Sequence, residues 1–273
     1  MRHPAADARS WGTLVAGLGY HDVTDIPSAS GFQREGARSY RLGTRQFREH
    51  LDEIATAQLT PSLVTDLELT RPGRHLVLTF DDGGKSALAI GDELCRRGWR
   101  GHFFISTALI GRRTFLTSAE IRQLRSAGHL IGTHSHSHPD IYRDLSWEKM
   151  VVEWCQSVDI LAQLLGERCV SGSVPGGDAS AAVFRSAAAG GLRYLFTSEP
   201  RLRPRVVSGC WVLGRFCAKM STPPEEIAQL IRFERWASKR LIRDLRNVAS
   251  LGVPSLYRLY VGRSVRAWQE TTP

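Results

Sequence analysis

Two adjacent carboxylates, Asp81 and Asp82, follow a short apolar run in the segment LVLTFDDGGK, residues 76–85. The run 76–80 is apolar and bounded by glycine, which predicts a buried strand that ends at the two acids. Like charges this close raise a carboxyl pKa unless a cation or hydrogen-bond donors compensate. The pair therefore either faces water or binds something positive. The structural alternative is that both acids accept hydrogen bonds from free N–H groups at the start of a helix.

Three histidines occupy alternate positions in a second segment, IGTHSHSHPD, residues 131–140. In an extended chain His134, His136 and His138 would share a face. In a helical turn only His134 and His138, four residues apart, would converge. Either arrangement could bind a metal ion, and a solvated histidine-rich loop is an equal alternative for the cluster alone. The presence of an acid pair at another strand end favours the metal site.

Apolar runs of strand length alternate along the chain with longer helical patterns. The predicted strands are 14–20, 76–80, 102–106, 129–133, 170–174, 194–197 and 211–216. The predicted helices are 47–58, 86–97, one that starts at the capping box Thr117–Glu120, 147–165 and 179–189. This alternation predicts an α/β fold with a parallel sheet, open or closed into a barrel, whose functional groups follow the carboxyl ends of the strands. Both acids and the histidine cluster lie at such ends.

At these residues the sequence resembles the polysaccharide deacetylase family, metal-dependent carbohydrate esterases with a distorted (β/α) barrel. The family motifs T-F-D-D-G and H-[ST]-x-x-H-P stand here at residues 79–83 and 134–139. The resemblance implies that Asp82, His134 and His138 bind a divalent metal, with zinc as the first expectation, and that Asp81 is the general base. His136, the variable middle position, would then line the cleft.

Two further motifs of that family are altered here. Its third motif, R-x-P-x-G, corresponds to Ser173-Val174-Pro175-Gly176-Gly177, so Ser173 stands where the arginine is expected. The Gly176 N–H could still donate to a developing oxyanion, and Arg215, at a predicted strand end, is the candidate to replace the missing arginine. The family's late histidine, a general acid, has no counterpart after His138. The proton for the leaving amine would then come from Asp81, Asp178 or solvent.

The remaining chain is basic and carries five cysteines without a C-x-x-C pair. Lys plus Arg number 36 against 27 Asp plus Glu, a formal net charge of +9 that suits anionic partners. Unpaired cysteines and the lack of a signal or membrane-spanning pattern predict a cytoplasmic protein. We expect residues 1–223 to form the barrel and 224–273 a basic C-terminal helix, 225–248, with an aromatic extension. This helix is a solvated final barrel helix or, alternatively, contacts an acidic membrane surface.

These patterns predict an enzyme that hydrolyses the N-acetyl group of an N-acetylated sugar or glycan intermediate. A barrel that keeps the metal but has become a carbohydrate-binding or regulatory subunit is the alternative, which the altered motifs favour. Hydrolysis of another C–N bond is a weaker third possibility. Nucleic acid is not an expected partner, because the chain shows no basic-aromatic recognition motif.

Overall fold

The computed structural model describes residues 12–177 and 179–252, with side chains up to residue 245. The described strands are β1 (Thr13–Tyr20), β2 (Gly73–Phe80), β3 (His102–Ile105), β4 (Leu130–Thr133), β5 (Ser171–Ser173), β6 (Tyr194–Phe196), β7 (Arg205–Val207), β8 (Cys210–Leu213) and β9 (Phe216–Cys217). The α-helices are α1 (Glu35–Arg38), α2 (Thr44–Ala55), α3 (Ser86–Arg96), α4 (Ser118–Ser126), α5 (Trp147–Leu165), α6 (Ala181–Ala189), α7 (Pro224–Ile231) and α8 (Trp236–Gly252).

The strands form one curled sheet in the order β7-β8-β6-β5-β4-β3-β2-β1-β9, parallel throughout except for β7. Helices follow most strands and cover the outside, as the alternating sequence pattern predicts. The expected distorted (β/α) barrel is therefore confirmed. The predicted capping box is also present: the Thr117 hydroxyl accepts from the Glu120 N–H, and the Glu120 carboxylate accepts from the Thr117 N–H.

The strand predicted at 211–216 is interrupted, and this interruption brings the two ends of the sheet together. β8 pairs with β6, whereas β9 pairs with β1 at the opposite end of the strand order. Gly214 and Arg215 are the residues that cross between them. A Cβ on Gly214 would lie 2.5 Å from the carbonyl oxygens of both Glu199 and Arg201, so no larger residue fits the crossing. Arg215 thereby lies inside the barrel.

Aromatic side chains from the strands pack together in the core. Phe80 stacks on Phe103 and on Tyr20, with ring centroids 4.9 and 5.8 Å apart. Phe104 and Phe196 form a second pair, 5.4 Å apart, on the other side of the sheet strands. These rings support the ends of β2, β3 and β6. The loops that follow these strands therefore begin at well-packed strand ends.

The single helix predicted over 225–248 is wrong, because the structure has two helices separated at residues 232–235. Phe233 and Arg235 adopt left-handed backbone angles, with φ of 68° and 58°, which an α-helix does not accommodate. The turn is stabilised by Trp236, whose indole N–H donates to the Leu230 carbonyl at 2.9 Å. Helix α7 packs its apolar face on α2. The division of the chain at residue 224 stays a prediction.

Over the described part of the chain, none of the helices combines the length and the hydropathy needed to cross a bilayer. The predicted aromatic extension at 257–268 lies outside the described residues, as does Asp178. The five cysteines are all free.

Candidate active site

Three of the predicted ligands converge at the carboxyl ends of β2 and β4. Asp82, His134 and His138 each offer one ligand atom, and these atoms all lie within 4.8 Å of one another. Nε2 of His134 is 3.3 Å and Nε2 of His138 is 3.6 Å from Oδ1 of Asp82. All three side chains are buried. One carboxylate and two imidazoles form a donor set that suits zinc and other divalent transition metals, and three protein ligands leave further positions for water and substrate.

The backbone at these ligands is strained. Among the described residues six non-glycine positions have positive φ, and three of them belong to this site: Asp82 at 77°, Ser135 at 64° and His138 at 54°. Such conformations cost free energy and persist where surrounding structure enforces them. Ser135 is held by hydrogen bonds: its N–H donates to the Thr133 hydroxyl at 3.0 Å, and its own hydroxyl accepts from the His138 N–H at 3.2 Å. These hydrogen bonds hold the loop in the conformation that brings His134 and His138 close to Asp82.

Glu153 of α5 holds the same loop from outside. Its carboxylate accepts from the backbone N–H groups of His136 and Ser137 at 2.9 and 2.8 Å, and from the Ser137 hydroxyl at 2.6 Å. The His136 ring does not join the ligand cluster; its Nδ1 lies 2.9 Å from the Thr107 hydroxyl. The turn therefore separates His136 from the other two histidines.

The electrostatics keep the ligands in the states that a metal requires. Burial works against the charge of Asp82, but the His134 hydrogen bond and the nearby His21 and His138 hold the pKa of this carboxyl well below its usual range. Burial, together with the charge of Arg34, lowers the pKa of His138 to about 3. Asp82 is thus ionised and His138 neutral at neutral pH, the forms in which they bind metals.

Asp81 forms a buried ion pair with Arg215. Arg215 Nη1 and Nη2 donate to its two carboxylate oxygens at 2.7 and 2.8 Å, a bidentate ion pair in which the arginine side chain is fully buried. Burial would raise the pKa of Asp81, yet Arg215 and His134 lower it below its usual range. Arg215 therefore contacts the predicted base from the break between β8 and β9, whereas the third motif begins at the end of β5.

Ser173 connects the base to the ligand set. Its hydroxyl lies 3.1 Å from Oδ1 of Asp81 and 2.6 Å from Nδ1 of His134, and its carbonyl lies 3.0 Å from the same nitrogen. A proton on Nδ1 would leave the lone pair of Nε2, the nitrogen that faces Asp82, free to bind a metal ion. Position 173 thus carries a small hydroxyl that contacts both Asp81 and His134, and the positive charge beside Asp81 belongs to Arg215.

Sequence reasoning missed His21, which follows β1 directly. It lies close enough to Asp81 and Asp82 to lower the pKa of both carboxyls. Its ring packs on Tyr40, with centroids 4.6 Å apart, and its buried Nδ1 has no hydrogen-bond partner among the described residues. β1 pairs with β2 along its whole length, with Tyr20 opposite Phe80, so the residue after Tyr20 lies beside Asp81; this pairing has no local signal in the sequence.

Gly176 lies in the turn Pro175–Gly177, which directly follows β5 and its last residue, Ser173. It has φ of 61° and ψ of 0°. The next residue, Gly177, accepts a hydrogen bond through its carbonyl from Arg243 of α8 at 3.1 Å. The C-terminal helix thus contacts the turn that carries the predicted oxyanion donor.

Comparisons with known proteins agree with this architecture. A family model described as polysaccharide deacetylase matches residues 68–195, which include both intact motifs. Residues 68–195 of this chain are thus similar to the polysaccharide deacetylase family. A search of curated proteins gave no match.

Solved structures show the same fold. The deacetylase PplD of Streptococcus pyogenes, in complex with acetate, has a TM-score of 0.66 at 19% identity, over 80% of this chain and 98% of that chain. IcaB from Ammonifex degensii gives 0.65 at 18% identity, over 81% and 98%. A polysaccharide deacetylase from Bacillus cereus gives 0.67 at 16% identity, over 80% and 69%. At such identities the likeness concerns the fold, and the chemistry rests on the residues described above.

Proposed function

We propose that this protein is a metal-dependent hydrolase that removes the N-acetyl group from an N-acetylated sugar or glycan intermediate. The observation that carries the proposal is the bidentate Arg215–Asp81 pair beside the ligands Asp82, His134 and His138. A base kept ionised next to an open three-ligand site is the arrangement that metal-assisted amide hydrolysis requires.

In this proposal Asp81 takes a proton from the attacking water. A divalent ion on Asp82, His134 and His138, with zinc as the first expectation, would supply the positive charge that polarises water and the acetyl carbonyl. The C–N bond then breaks, acetate leaves with the water oxygen, and the sugar nitrogen gains a proton. Arg215 keeps Asp81 ionised and fixes its two oxygens, so we assign it as a positioning residue. The Gly176 N–H is the proposed donor to the oxyanion.

His21 is the proposed proton donor to the leaving amine. It lies beside both acids, on the strand end next to β2, and its Nδ1 is without a partner among the described residues. This assignment replaces the expectation that the proton would have to come from Asp81, Asp178 or solvent. An imidazole is the side chain best suited to donate a proton near neutral pH.

The alternative of a metal-binding but non-catalytic subunit rested on the missing arginine and the missing late histidine. The Arg215–Asp81 ion pair and the position of His21 near both acids support turnover. Hydrolysis of a C–N bond outside sugars remains a distinct substrate hypothesis, which a substrate panel separates.

The decisive experiment measures metal content and acetate release from N-acetylated sugars for the wild type, Asp81→Asn and His134→Ala. We expect metal and acetate for the wild type, metal without acetate for Asp81→Asn, and neither for His134→Ala. Metal without acetate on every substrate would instead indicate the binding subunit. Unchanged acetate release by Asp81→Asn would overturn the assigned base.

We also propose that α8 contacts an acidic membrane surface. Leu241 and Leu245 are 61% and 62% exposed, on a helix that also carries Lys239, Arg240 and Arg243. Exposed apolar residues among basic ones are typical of interfacial helices. Sedimentation with acidic liposomes at low salt tests this. We expect Leu241→Ser with Leu245→Ser to reduce binding, and Val152→Ser, equally exposed on α5, to leave it unchanged; no binding of the wild type would refute the proposal. The cytoplasmic location stays a prediction.

A further inference from the structure

Arg34 lies directly beside the candidate metal ligands, outside both intact motifs. Its Nη2 atom is 2.9 Å from Nδ1 and 3.5 Å from Nε2 of His138. Its Nη1 atom donates to Asp140 at 3.1 Å, and its side chain is 16% exposed. Arg34 is thus a cation at the edge of the ligand cluster, and part of it faces solvent.

Packing on an aromatic ring fixes the position of this guanidinium. Its central carbon, Cζ, lies 4.3 Å from the centre of the Phe32 ring, and the same ring packs on His138 with centroids 4.7 Å apart. Phe32 is itself buried and packs edge-on against Phe115, from the loop that follows β3. An arginine stacked on a buried ring has less side-chain freedom to lose when it binds an anion.

The loop that precedes α1 is tied to the start of α3 by Asp22, a buried residue. One carboxylate oxygen of Asp22 accepts from the Ser30 hydroxyl at 2.7 Å and from the Gly31 N–H at 2.8 Å. The other accepts from the hydroxyl of Ser86, the first residue of α3, at 2.7 Å. Because α3 follows the acid pair after a short turn, these hydrogen bonds fix Arg34 relative to that pair.

A guanidinium group offers N–H donors and no acceptor, which limits what can face it. A histidine that binds a metal ion through Nε2 keeps its proton on Nδ1. In that form Nδ1 of His138 cannot accept from Arg34, so the Nη2 group of Arg34 needs a different acceptor. A partly buried donor without an acceptor is unfavourable, and an anionic oxygen is the acceptor that a guanidinium binds best.

The proposed reaction itself supplies such an oxygen. Addition of water to the acetyl carbon converts its neutral carbonyl oxygen into a negatively charged one, and cleavage of the C–N bond then leaves the carboxylate of acetate. The amide substrate carries no such charge. A cation beside the ligand cluster therefore favours the charged forms over the substrate, which is the differential binding that lowers an activation barrier.

We infer that Arg34 is a catalytic residue that releases His138 and binds the negatively charged oxygen that forms on the acetyl group, and afterwards the carboxylate of acetate. The inference rests on the proposed deacetylase function. It adds a second donor to the proposed Gly176 N–H, and this donor carries a full positive charge.

Binding of acetate and of acetamide to the full zinc-loaded chain tests the inference without turnover, because the two ligands differ in charge but little in shape. The broadening of their methyl NMR signals gives both affinities. We expect Arg34→Met to bind acetate about tenfold more weakly than the wild type, by the energy of one charge-assisted hydrogen bond. The affinity for acetamide should be unchanged. Arg34→Lys, which keeps the charge without the planar fork, should be intermediate.

Zinc affinity is a second readout, and a merely structural role would move it in the opposite direction. Arg34→Met removes a positive charge beside a ligand nitrogen, so zinc should bind equally well or more tightly, measured by competition with a chromophoric chelator. Weaker binding of both zinc and acetate by Arg34→Met would show that the side chain only supports the loop, and this would overturn the inference.

Arg38→Met is the matched control. Arg38 lies at the end of α1, pairs with Glu35 and has a side chain that is 64% exposed. Its replacement should change neither the acetate nor the zinc affinity. An equal loss of acetate affinity in Arg38→Met and Arg34→Met, or no loss in Arg34→Met, would contradict the assigned role.

Acetate release separates the inference from the function on which it rests. Arg34→Met should lower kcat about tenfold with a smaller change of KM, because the negative charge forms only after the substrate has bound. If the wild type releases acetate and Arg34→Met has the same kcat, the function stands and the inference fails. If no substrate releases acetate although acetate binding depends on Arg34, the proposed function fails and Arg34 stands as an anion-binding residue.

Discussion

Arg215 lies in the break between β8 and β9. Its two terminal nitrogens donate to the carboxylate of Asp81, at 2.7 and 2.8 Å. Its guanidinium also contacts the faces of Phe104 and Phe196, 5.8 and 5.9 Å from the ring centroids, and donates to the Thr79 hydroxyl. A fully buried cation is stable only where its charge and its donors are matched, as they are here. The residue that precedes β9, the strand that pairs with β1, is therefore also the residue that keeps the proposed base ionised.

Replacement of Arg215 by lysine should weaken catalysis and change its pH dependence. Lysine keeps the charge but loses the bidentate geometry, so the pKa of Asp81 should rise toward its ordinary value. We expect kcat to fall about tenfold or more, with the acidic limb of the pH–rate profile moved to higher pH. Bound metal should be unchanged. A lower kcat with an unmoved acidic limb would indicate a structural role alone.

Removal of the charge altogether tests stability. Arg215→Ala leaves the buried carboxylate of Asp81 without its cationic partner. Breaking a buried ion pair in this way costs about 3–5 kcal/mol. We expect a lower midpoint in urea denaturation, partly restored by Asp81→Asn in the same chain. A double variant no more stable than Arg215→Ala would contradict a direct pairing energy.

Substitution of the predicted ligands should abolish metal binding, whereas substitution of His136 should not. Asp82→Asn and His138→Gln remove one donor each, while His136→Gln changes the same loop outside the ligand cluster. Metal content by mass spectrometry and the shift of Tm on adding zinc are the measurements. At a metal concentration one hundred times Kd, the wild type should gain about 2.7 kcal/mol. Loss of metal in His136→Gln would show that the ligand set is misassigned.

His21→Gln should slow amide hydrolysis by about 10²–10⁴-fold, the usual contribution of a general acid. The effect should be much smaller on p-nitrophenyl acetate, whose leaving group needs no proton. Metal content serves as the control, because His21 is not a proposed ligand. An equal loss on both substrates would point to a role in binding or structure instead of proton donation.

Acid should destabilise the protein through His102, which lies away from the metal site. Its ring bridges Leu78 and Val64: one nitrogen lies 2.8 Å from the Leu78 carbonyl, and the other accepts from the Val64 N–H at 2.8 Å. Burial lowers the pKa of His102 to about 4, against an ordinary value of 6.5. The unfolded chain thus binds this proton at a higher pH than the folded one, so stability is complete above about pH 6.5 and declines toward pH 4.

The size of this effect follows from the shift of the pKa, at roughly 3 kcal/mol over the full window. His102→Gln should flatten the decline between pH 6.5 and 4, measured by urea denaturation at several pH values, although it lowers stability at neutral pH. His50 and His129 also have lowered pKa values through burial and will leave a residual slope. An unchanged slope in His102→Gln would refute the assignment.

The sequence alone determined the alternating fold, because strand and helix periodicities are local. It also predicted that Asp82, His134 and His138 lie together, because two motifs place these residue types at the carboxyl ends of parallel strands, β2 and β4, on either side of β3. The family resemblance supplied their roles, and the fold comparison bears out the barrel. Local patterning could not show that the chain breaks between α7 and α8, since that turn depends on the burial of Trp236.

Only the tertiary structure showed which residues we propose in place of the two altered motifs. Arg215 reaches Asp81 because β9 pairs with β1 after a strand break at Gly214. This pairing joins Leu18 to Phe216, which are 198 positions apart in the sequence. His21 lies beside the acids because β1 runs next to β2. Contacts between distant segments have no local sequence signal, because closure of the barrel brings them together and their spacing along the chain does not.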